Sequence, residues 1–483
     1  MFQFSSIEQY HAQLQKNNVS CKQAVEYFLQ RINTSKHLNA FIEVYAAEAL
    51  QKAGELDRKR NAGEPIGSLH GVVVGLKDII AYKNHHLTAA SKILNGFTSI
   101  YSATATERLL LEEAIIIGVC NCDEFAMGST NENSAYGKVF NARDETRVPG
   151  GSSGGSAVAV QAGLCMISLG SDTGGSVRQP ADFCGIVGLK PSYGRISRYG
   201  LIAYASSFDQ IGIFGNNISD VAKVLEVIAG PDEYDVTVSQ KKVDGYNSLL
   251  SKEQNRKYRF AYFNESLDHP SLDREISSSI KKTIEQLIGQ GHSAESVQFG
   301  YLDFIVPAYY VLTTAEASSN LSRYDGVRYG YRTKQNVSDL SEFYKLNRSE
   351  GFGKEVKRRI MLGTFVLSTG YYDAYFTKAQ QVRQLVTRKI TEIFSDYDFI
   401  LMPDSPTPAF KIGEKMQDPI AMYLADIFTV MANLVGCPAI SLPLYKHSIG
   451  LPFGLQVMTK NFNEVSLLQV SKQLMKSPYT QKT

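Results

Sequence analysis

The sequence predicts an α/β fold, a large mixed β-sheet covered by helices on both faces, and three observations carry that prediction. Short apolar runs rich in β-branched residues alternate along the chain with segments of helical periodicity. The 483 residues are 43% hydrophobic and 20% charged, enough apolar mass to bury a large core and too much for a disordered chain. No fixed-period repeat and no linker-like stretch interrupts the alternation. The expectation is a single domain over 1–483, with a helical N-terminal region to about residue 65, a core over about 66–215 and the rest of the sheet over about 216–483.

Taken in order, SSIE (Ser5 to Glu8) and SCKQ (Ser20 to Gln23) match the capping-box pattern ahead of apolar residues at helical spacing, which predicts two N-terminal helices. A third helix is expected from Ala46 to Arg60, its charged end ELDRKR facing solvent. HGVVVGLKDII (His70 to Ile80) and EAIIIGVCN (Glu113 to Asn121) read as strands around the helical ATERLLLEEA, a β-α-β unit. AVAVQAG and LCMISLG read as helix and then strand. Beyond residue 215, helices are expected at about 218–228, 274–289, 373–395 and 420–434. Strands are expected at Tyr258–Phe263, Ala294–Phe299, Phe399–Pro403, Ala439–Leu444 and Pro452–Met458.

Composition excludes several functions. Fifty Lys+Arg against 48 Asp+Glu leave a formal charge of +2, so no field over the whole molecule holds a polyanion. Six scattered cysteines fit neither a disulfide scaffold nor zinc spacing, and the lone CxC of Cys120 and Cys122 fits strand alternation, so no metal site is expected. The N-terminus lacks a basic segment followed by an apolar one, which points to the cytoplasm. The long uncharged stretch from Pro149 to Ser171 is broken by Gln161, serines and glycines, so no membrane span is expected.

Chemistry concentrates in VPGGSSGGSAVAVQAGLCMISLGSDTGGSVRQPADFCGIVGLKP, residues 148–191. Paired glycines beside serines let backbone N–H groups approach a reacting atom. No Gly-Lys-Ser/Thr follows, against a phosphate loop. GGSSG at 150–154 fits the GxSxG nucleophile elbow literally, yet the polar FNARDETRVP precedes it where that motif needs a strand, and none of the eight histidines sits in a recognisable motif. A third reading makes a lysine the base. Lys77 is the one charged residue between His70 and Asp78, and burial at the end of GVVVGLK would lower its pKa. Its partners would be Ser152 and Ser176, 75 and 24 positions along. Taken alone, Lys77 reads more readily as a snorkelling or salt-bridged side chain, and the combination with the two serines reverses that preference.

Lys77-Asp78, GGSSGGS at 150–156 and DTGGSxRxPAxFCGxxGLKP at 172–191, with their spacings, resemble the amidase signature family. The resemblance implies an amidase-signature-type fold and a Ser-cisSer-Lys triad: Ser176 as nucleophile, Ser152 as bridging serine and Lys77 as base. The backbone N–H groups of Thr173, Gly174 and Gly175 would then stabilise the oxyanion. Further segments, among them DEFAMGST (Asp123 to Thr130), EASSNLSRYDGVRYGYR (Glu316 to Arg332) and GYYDAYFTKAQQVR (Gly370 to Arg383), are similar to the glutamine-hydrolysing subunits of tRNA-dependent amidotransferases. That likeness implies release of ammonia from glutamine for Glu-tRNA(Gln), and in many members Asp-tRNA(Asn). It implies no cofactor on this chain. The B subunit of such an enzyme would hold ATP and Mg and most of the tRNA, and a small C subunit would wrap the heterotrimer.

Glutamine is a zwitterion. Carried over from the family, Arg359 would grip its α-carboxylate and Asp426 its α-ammonium, with Tyr310 a further pocket residue. Read without the family, KEVKRR at 354–359 is a basic helix face toward solvent or RNA, and the resemblance prefers Arg359 to Arg358. RYDGVRYGYR at 323–332 suits RNA stacking by composition, but a structural or pocket role is expected. A free-standing amidase for another small amide and a silent scaffold are the competing readings.

Overall fold

In the computed structural model, which describes residues 2–250, 256–415 and 419–476, the chain forms one eleven-stranded sheet. The N-terminal helices are α1 (Ile7–Gln15), α2 (Cys21–Thr34) and α3 (Ala46–Asn61). Ser20 and Gln23 close a reciprocal capping box on α2, at 3.0 and 2.9 Å. At α1 the cap is Ser6 rather than Ser5: its hydroxyl accepts from Gln9 N at 3.2 Å, one residue beyond the pattern read from the sequence.

The strands are β1 (Phe41–Val44), β2 (Val73–Lys77), β3 (Ile115–Cys120), β4 (Ile167–Asp172), β5 (Val187–Lys190), β6 (Gln210–Gly215), β7 (Arg259–Tyr262), β8 (Ser293–Ser296), β9 (Phe399–Met402), β10 (Ala439–Lys446) and β11 (Pro452–Thr459). Their order is β1-β3-β2-β4-β6-β5-β10-β11-β9-β7-β8. The β3-β2-β4 and β9-β7-β8 sets are parallel and the central pairings antiparallel, so the sheet is mixed. Every residue of β2, β3, β4, β6 and β11 is buried. Side chains alternate between faces, so both faces of these strands are covered, which is why the sequence shows continuous apolar runs rather than alternation.

Between the strands run α4 (Thr104–Leu111), α5 (Gly154–Gln161), α6 (Arg178–Cys184) and α7 (Ile218–Ile228). The helix expected at 274–289 lies at Arg274–Gly289. The segment read as one helix over 420–434 is two, Pro419–Leu424 and Val430–Val435, with an irregular turn between them. That turn carries Asp426 and Thr429. The segment read as 373–395 opens with a π-helical turn, Asp373–Thr377, before regular helix to Asp396. β1 sits inside the region read as purely helical and pairs antiparallel with β3. All six cysteines are buried and free, no cluster of three His, Cys, Asp or Glu that could hold a metal occurs among the described residues, and no described helix is long and apolar enough to cross a membrane.

Candidate active site

Lys77 is the last residue of β2 and is completely buried. Its Nζ lies 2.7 Å from Ser152 Oγ, 2.9 Å from Ser153 Oγ and 2.9 Å from Ser171 Oγ. Ser153 Oγ itself donates to Ser171 O at 3.1 Å, so toward Lys77 it can only accept. A neutral amine has two hydrogens and one lone pair. With the hydrogens given to Ser153 and Ser171, the lone pair is left for the Ser152 hydroxyl proton. Burial pulls the Lys77 pKa from 10.5 to about 8, with Cys122, Asp123 and Asp172 pulling weakly the other way.

Ser152 follows the cis Gly151–Ser152 peptide in the loop ahead of α5. That loop is tied down along its length. Asp123 N donates to Ser152 O at 3.0 Å, Gly151 N to Gln179 Oε1 at 3.1 Å and Gly155 N to Asn131 Oδ1 at 2.9 Å. A Cβ on Gly151 would sit 2.5 Å from Thr130 N, so glycine is required by close approach.

Ser176 lies in the loop between β4 and α6 and, at 9% exposure, is the most accessible of the three predicted residues. Its hydroxyl takes no hydrogen-bond partner among the described residues, so the expected link to Ser152 is not closed here. Asp172 organises this loop. Its carboxylate accepts from Gly175 N at 2.9 Å, Val177 N at 3.2 Å and the Arg178 guanidinium at 2.9 and 3.1 Å. Burial pushes the Asp172 pKa up, but the charge and hydrogen bonds of Arg178 outweigh it and the net value falls to about 2. The N–H of Gly175, expected among the oxyanion donors, is therefore committed to Asp172. The N–H groups of Thr173 and Gly174 donate to no described residue.

The glutamine-pocket candidates also come together. Arg359, on the helix Lys354–Val366, is buried: Nε donates to Glu355 Oε1 at 2.8 Å and Nη1 to Tyr204 Oη at 2.8 Å. The rings of Tyr204, Tyr310 and Tyr423 flank its guanidinium at 5.5, 5.3 and 5.8 Å. Arg358 points outward, its side chain 36% exposed, so of the basic run it is Arg359 that faces inward. Asp426 accepts from Tyr310 Oη at 2.9 Å and from Ser129 Oγ at 3.0 Å to each oxygen, and burial raises its pKa to about 6 against those hydrogen bonds. Tyr310 stacks on Tyr423 at 3.9 Å, and an apolar cleft of about 290 Å³ lies beside them.

The two halves share walls. A Cβ on Gly151 would come within 2.8 Å of Ser129 C, so the residue that holds Asp426 abuts the loop carrying Ser152. Sequence reasoning missed Ser153, Ser171, Ser129, Tyr204, Glu355 and Thr429. None of them carried a local signal: Ser153 and Ser171 are serines beside glycines, with no mark of the lysine they meet, and the other four come from segments remote in sequence. In RYDGVRYGYR, the Tyr331 hydroxyl donates to Glu350 at 2.7 Å, Lys92 lies 4.1 Å over its ring, and Arg323 Nε donates to Asn320 O at 2.8 Å, all packing contacts.

A mixed α/β sheet that buries a lysine against a loop serine, beside a second glycine loop with an accessible serine, has the equipment of an acyl-transfer hydrolase. The chain belongs to the amidase family, whose model matches residues 23–468. It is 51% identical over 478 residues to the glutamyl-tRNA(Gln) amidotransferase A subunit of Chlorobium phaeobacteroides strain BS1, covering 98% of this chain and 99% of that one. The protein of the same name from Chlorobaculum parvum is 50% identical over 476 residues, again with 98% of both covered. Among solved structures, the glutamyl-tRNA(Gln) amidotransferase A subunit of Thermotoga maritima superposes with a TM-score of 0.77 at 38% identity, over 95% of this chain and 92% of that one. A peptide amidase in complex with chymostatin superposes at 0.83 with 26% identity, over 99% and 98%.

Proposed function

We propose that the chain is the glutamine-hydrolysing subunit of a tRNA-dependent amidotransferase, releasing ammonia for conversion of Glu-tRNA(Gln) to Gln-tRNA(Gln). Ser176 attacks the side-chain carboxamide of glutamine. Its proton passes to Ser152 and on to neutral Lys77, a relay of the kind that turns a weakly nucleophilic hydroxyl into a reactive one. Hydrogen bonds of such relays tighten in the Michaelis complex, which is where the Ser176–Ser152 link forms. The tetrahedral oxyanion takes the free N–H groups of Thr173 and Gly174, and one such donor is worth about 10²- to 10³-fold in rate. Protonated Lys77 returns its proton through Ser152 to the departing ammonia. Water then hydrolyses the acyl-enzyme by the same route.

Arg359 and Asp426 set the specificity, pairing with the α-carboxylate and α-ammonium. The ammonia is used by a partner, the B subunit, which binds the aminoacyl-tRNA and consumes ATP with Mg; a small C subunit completes a cytoplasmic heterotrimer. The carrying observation is Lys77, fully buried and 2.7 Å from Ser152. Ammonia release from glutamine by the purified chain, with and without co-purified partners, tests the reading. Wild type turns over and Ser176→Ala loses at least about 10³-fold; equal rates in the two would discard it.

A further inference from the structure

The two loops of the site are joined by one hydroxyl that the chemistry above does not use. Thr429 is completely buried in the turn between Pro419–Leu424 and Val430–Val435, three residues after Asp426. Its N–H donates to Asp426 O at 3.0 Å. Its Oγ1 donates to Gly174 O at 2.6 Å and lies 3.1 Å from Asp426 O, so a single proton is shared between the backbone of the acid and the backbone of the nucleophile loop. Its own carbonyl accepts from Arg178 Nη1 at 2.8 Å. The same guanidinium holds Asp172, and Asp172 holds Gly175 N.

The contacts therefore close a ring: Asp426, Thr429, Gly174, Gly175, Asp172, Arg178 and back to Thr429. Both ends of the Gly174–Gly175 peptide are pinned, the carbonyl by Thr429 and the N–H by Asp172. The approach is enforced sterically too, since a Cβ on Gly175 would lie 2.6 Å from Thr429 Cβ. A fixed peptide plane fixes where the preceding N–H groups point, and a donor aimed wrongly by a fraction of an ångström stabilises an oxyanion poorly.

We infer that Thr429 is a positioning residue that couples capture of the substrate ammonium by Asp426 to the aim of the oxyanion donors at Thr173 and Gly174. The inference rests on the proposed glutaminase reading. Pairing of Asp426 with an ammonium settles the 426–429 turn, and the Thr429 hydroxyl carries that setting to the Gly174 carbonyl. Amides that lack the ammonium do not engage the turn, so the device favours glutamine in kcat as well as in binding.

A double-mutant cycle on kcat/KM for glutamine, with the full-length chain in its native complex, tests the coupling. Thr429→Val keeps the shape and removes the hydroxyl; Thr429→Ala takes its place in the cycle if that variant fails to fold. The expected loss is about 10- to 100-fold with Asp426 intact and under about 3-fold in the Asp426→Asn background, most of it in kcat. Thr429→Ser restores turnover to within about 3-fold of wild type. Equal losses in the two backgrounds, no loss at all, or a serine variant as damaged as the valine one would overturn the coupling. Ser176→Ala is run alongside: activity surviving there brings down the catalytic reading itself, whatever Thr429 does.

Discussion

At the level of single residues the site is a problem in where protons sit. In the proposed mechanism Lys77 acts only when neutral, and burial brings its pKa to about 8. In the same proposal Asp426 binds the substrate ammonium only when ionised, and burial raises its pKa to about 6. Both requirements are met by losing a proton, so they act in the same direction. The logarithm of kcat/KM for glutamine should climb with a slope near two below pH 6, near one from there to about 8, and flatten above. A profile flat from pH 6 to 9 would show that Lys77 does not titrate as placed here, and a slope of no more than one below pH 6 would show the same of Asp426. Lys77→Arg sharpens the test, because a guanidinium stays charged throughout this range. That variant, confirmed as folded by its thermal melt, should lose at least about 10³-fold in turnover at every pH, and recovery at high pH would exclude Lys77 as the base. Lys77, Ser152 and Ser176 stand out in the sequence because each sits in a dense local motif, and the structure brings the first two together at 2.7 Å. The sequence hid Ser153 and Ser171 as partners, since a serine beside glycine carries no mark of which lysine it will meet.

At the level of elements, glycines decide how closely α5 can press on the sheet. Gly155, in the first turn of α5, has its N–H on Asn131 Oδ1, and a Cβ there would overlap Asn121 O and come within 2.6 Å of Ala40 O. Two effects compete in Gly155→Ala. Helix propensity favours alanine by about 1 kcal/mol. Overpacking against backbone that cannot move aside costs about 1 to 3 kcal/mol, and with two carbonyls in the way the upper end applies. The variant is expected to be destabilised by about 1 to 2 kcal/mol net and to melt below wild type in a thermal scan. A higher melting temperature would mean the β1–β3 edge yields. The same packing explains which elements the sequence showed. β2, β3, β9, β10 and β11 were legible as apolar runs, and α2 by its capping box. β1 is four half-buried residues with no alternation, and β5 and β6 lie in glycine-bearing stretches where catalytic and strand signals overlap. The break at 425–429 was invisible because its residues keep helical spacing; tertiary bonds from Thr429 and Asp426 to the site outweigh local propensity there.

Across the whole molecule, many acids are buried to build this site, and they govern stability in a way that opposes activity. Burial raises Asp78 and Asp123 to about 6 and Asp209 and Glu124 to about 7. It also raises Asp182 and Asp404, a carboxyl pair around Gly454 that ties α6 to β11 and to the segment after β9. Each binds its proton more tightly folded than unfolded, so its contribution is complete at acid pH and is lost as pH rises through the folded value. Asp172 and Glu113 run the other way. Burial raises them, but Arg178 for the one and Lys59 and His70 for the other bring both down to about 2, so they contribute above the ordinary carboxylate range and fail below it. Lys77 and Lys190, lowered to about 8, relieve their cost only above that value. The raised acids begin to lose their contribution as soon as pH passes the ordinary carboxylate range, and the lowered ones have finished gaining theirs there, so the balance places maximum stability at roughly pH 4, well below the pH at which Lys77 is deprotonated. Thermal melts from about pH 2.5 to 9, set against the glutaminase profile, should show two separated maxima. Asp404→Asn, neutral at every pH, should flatten the alkaline decline while leaving the acid limb unchanged. Coincident maxima, or an alkaline decline untouched by Asp404→Asn, would mean that the buried acids are not what the fold gives up to hold its base neutral.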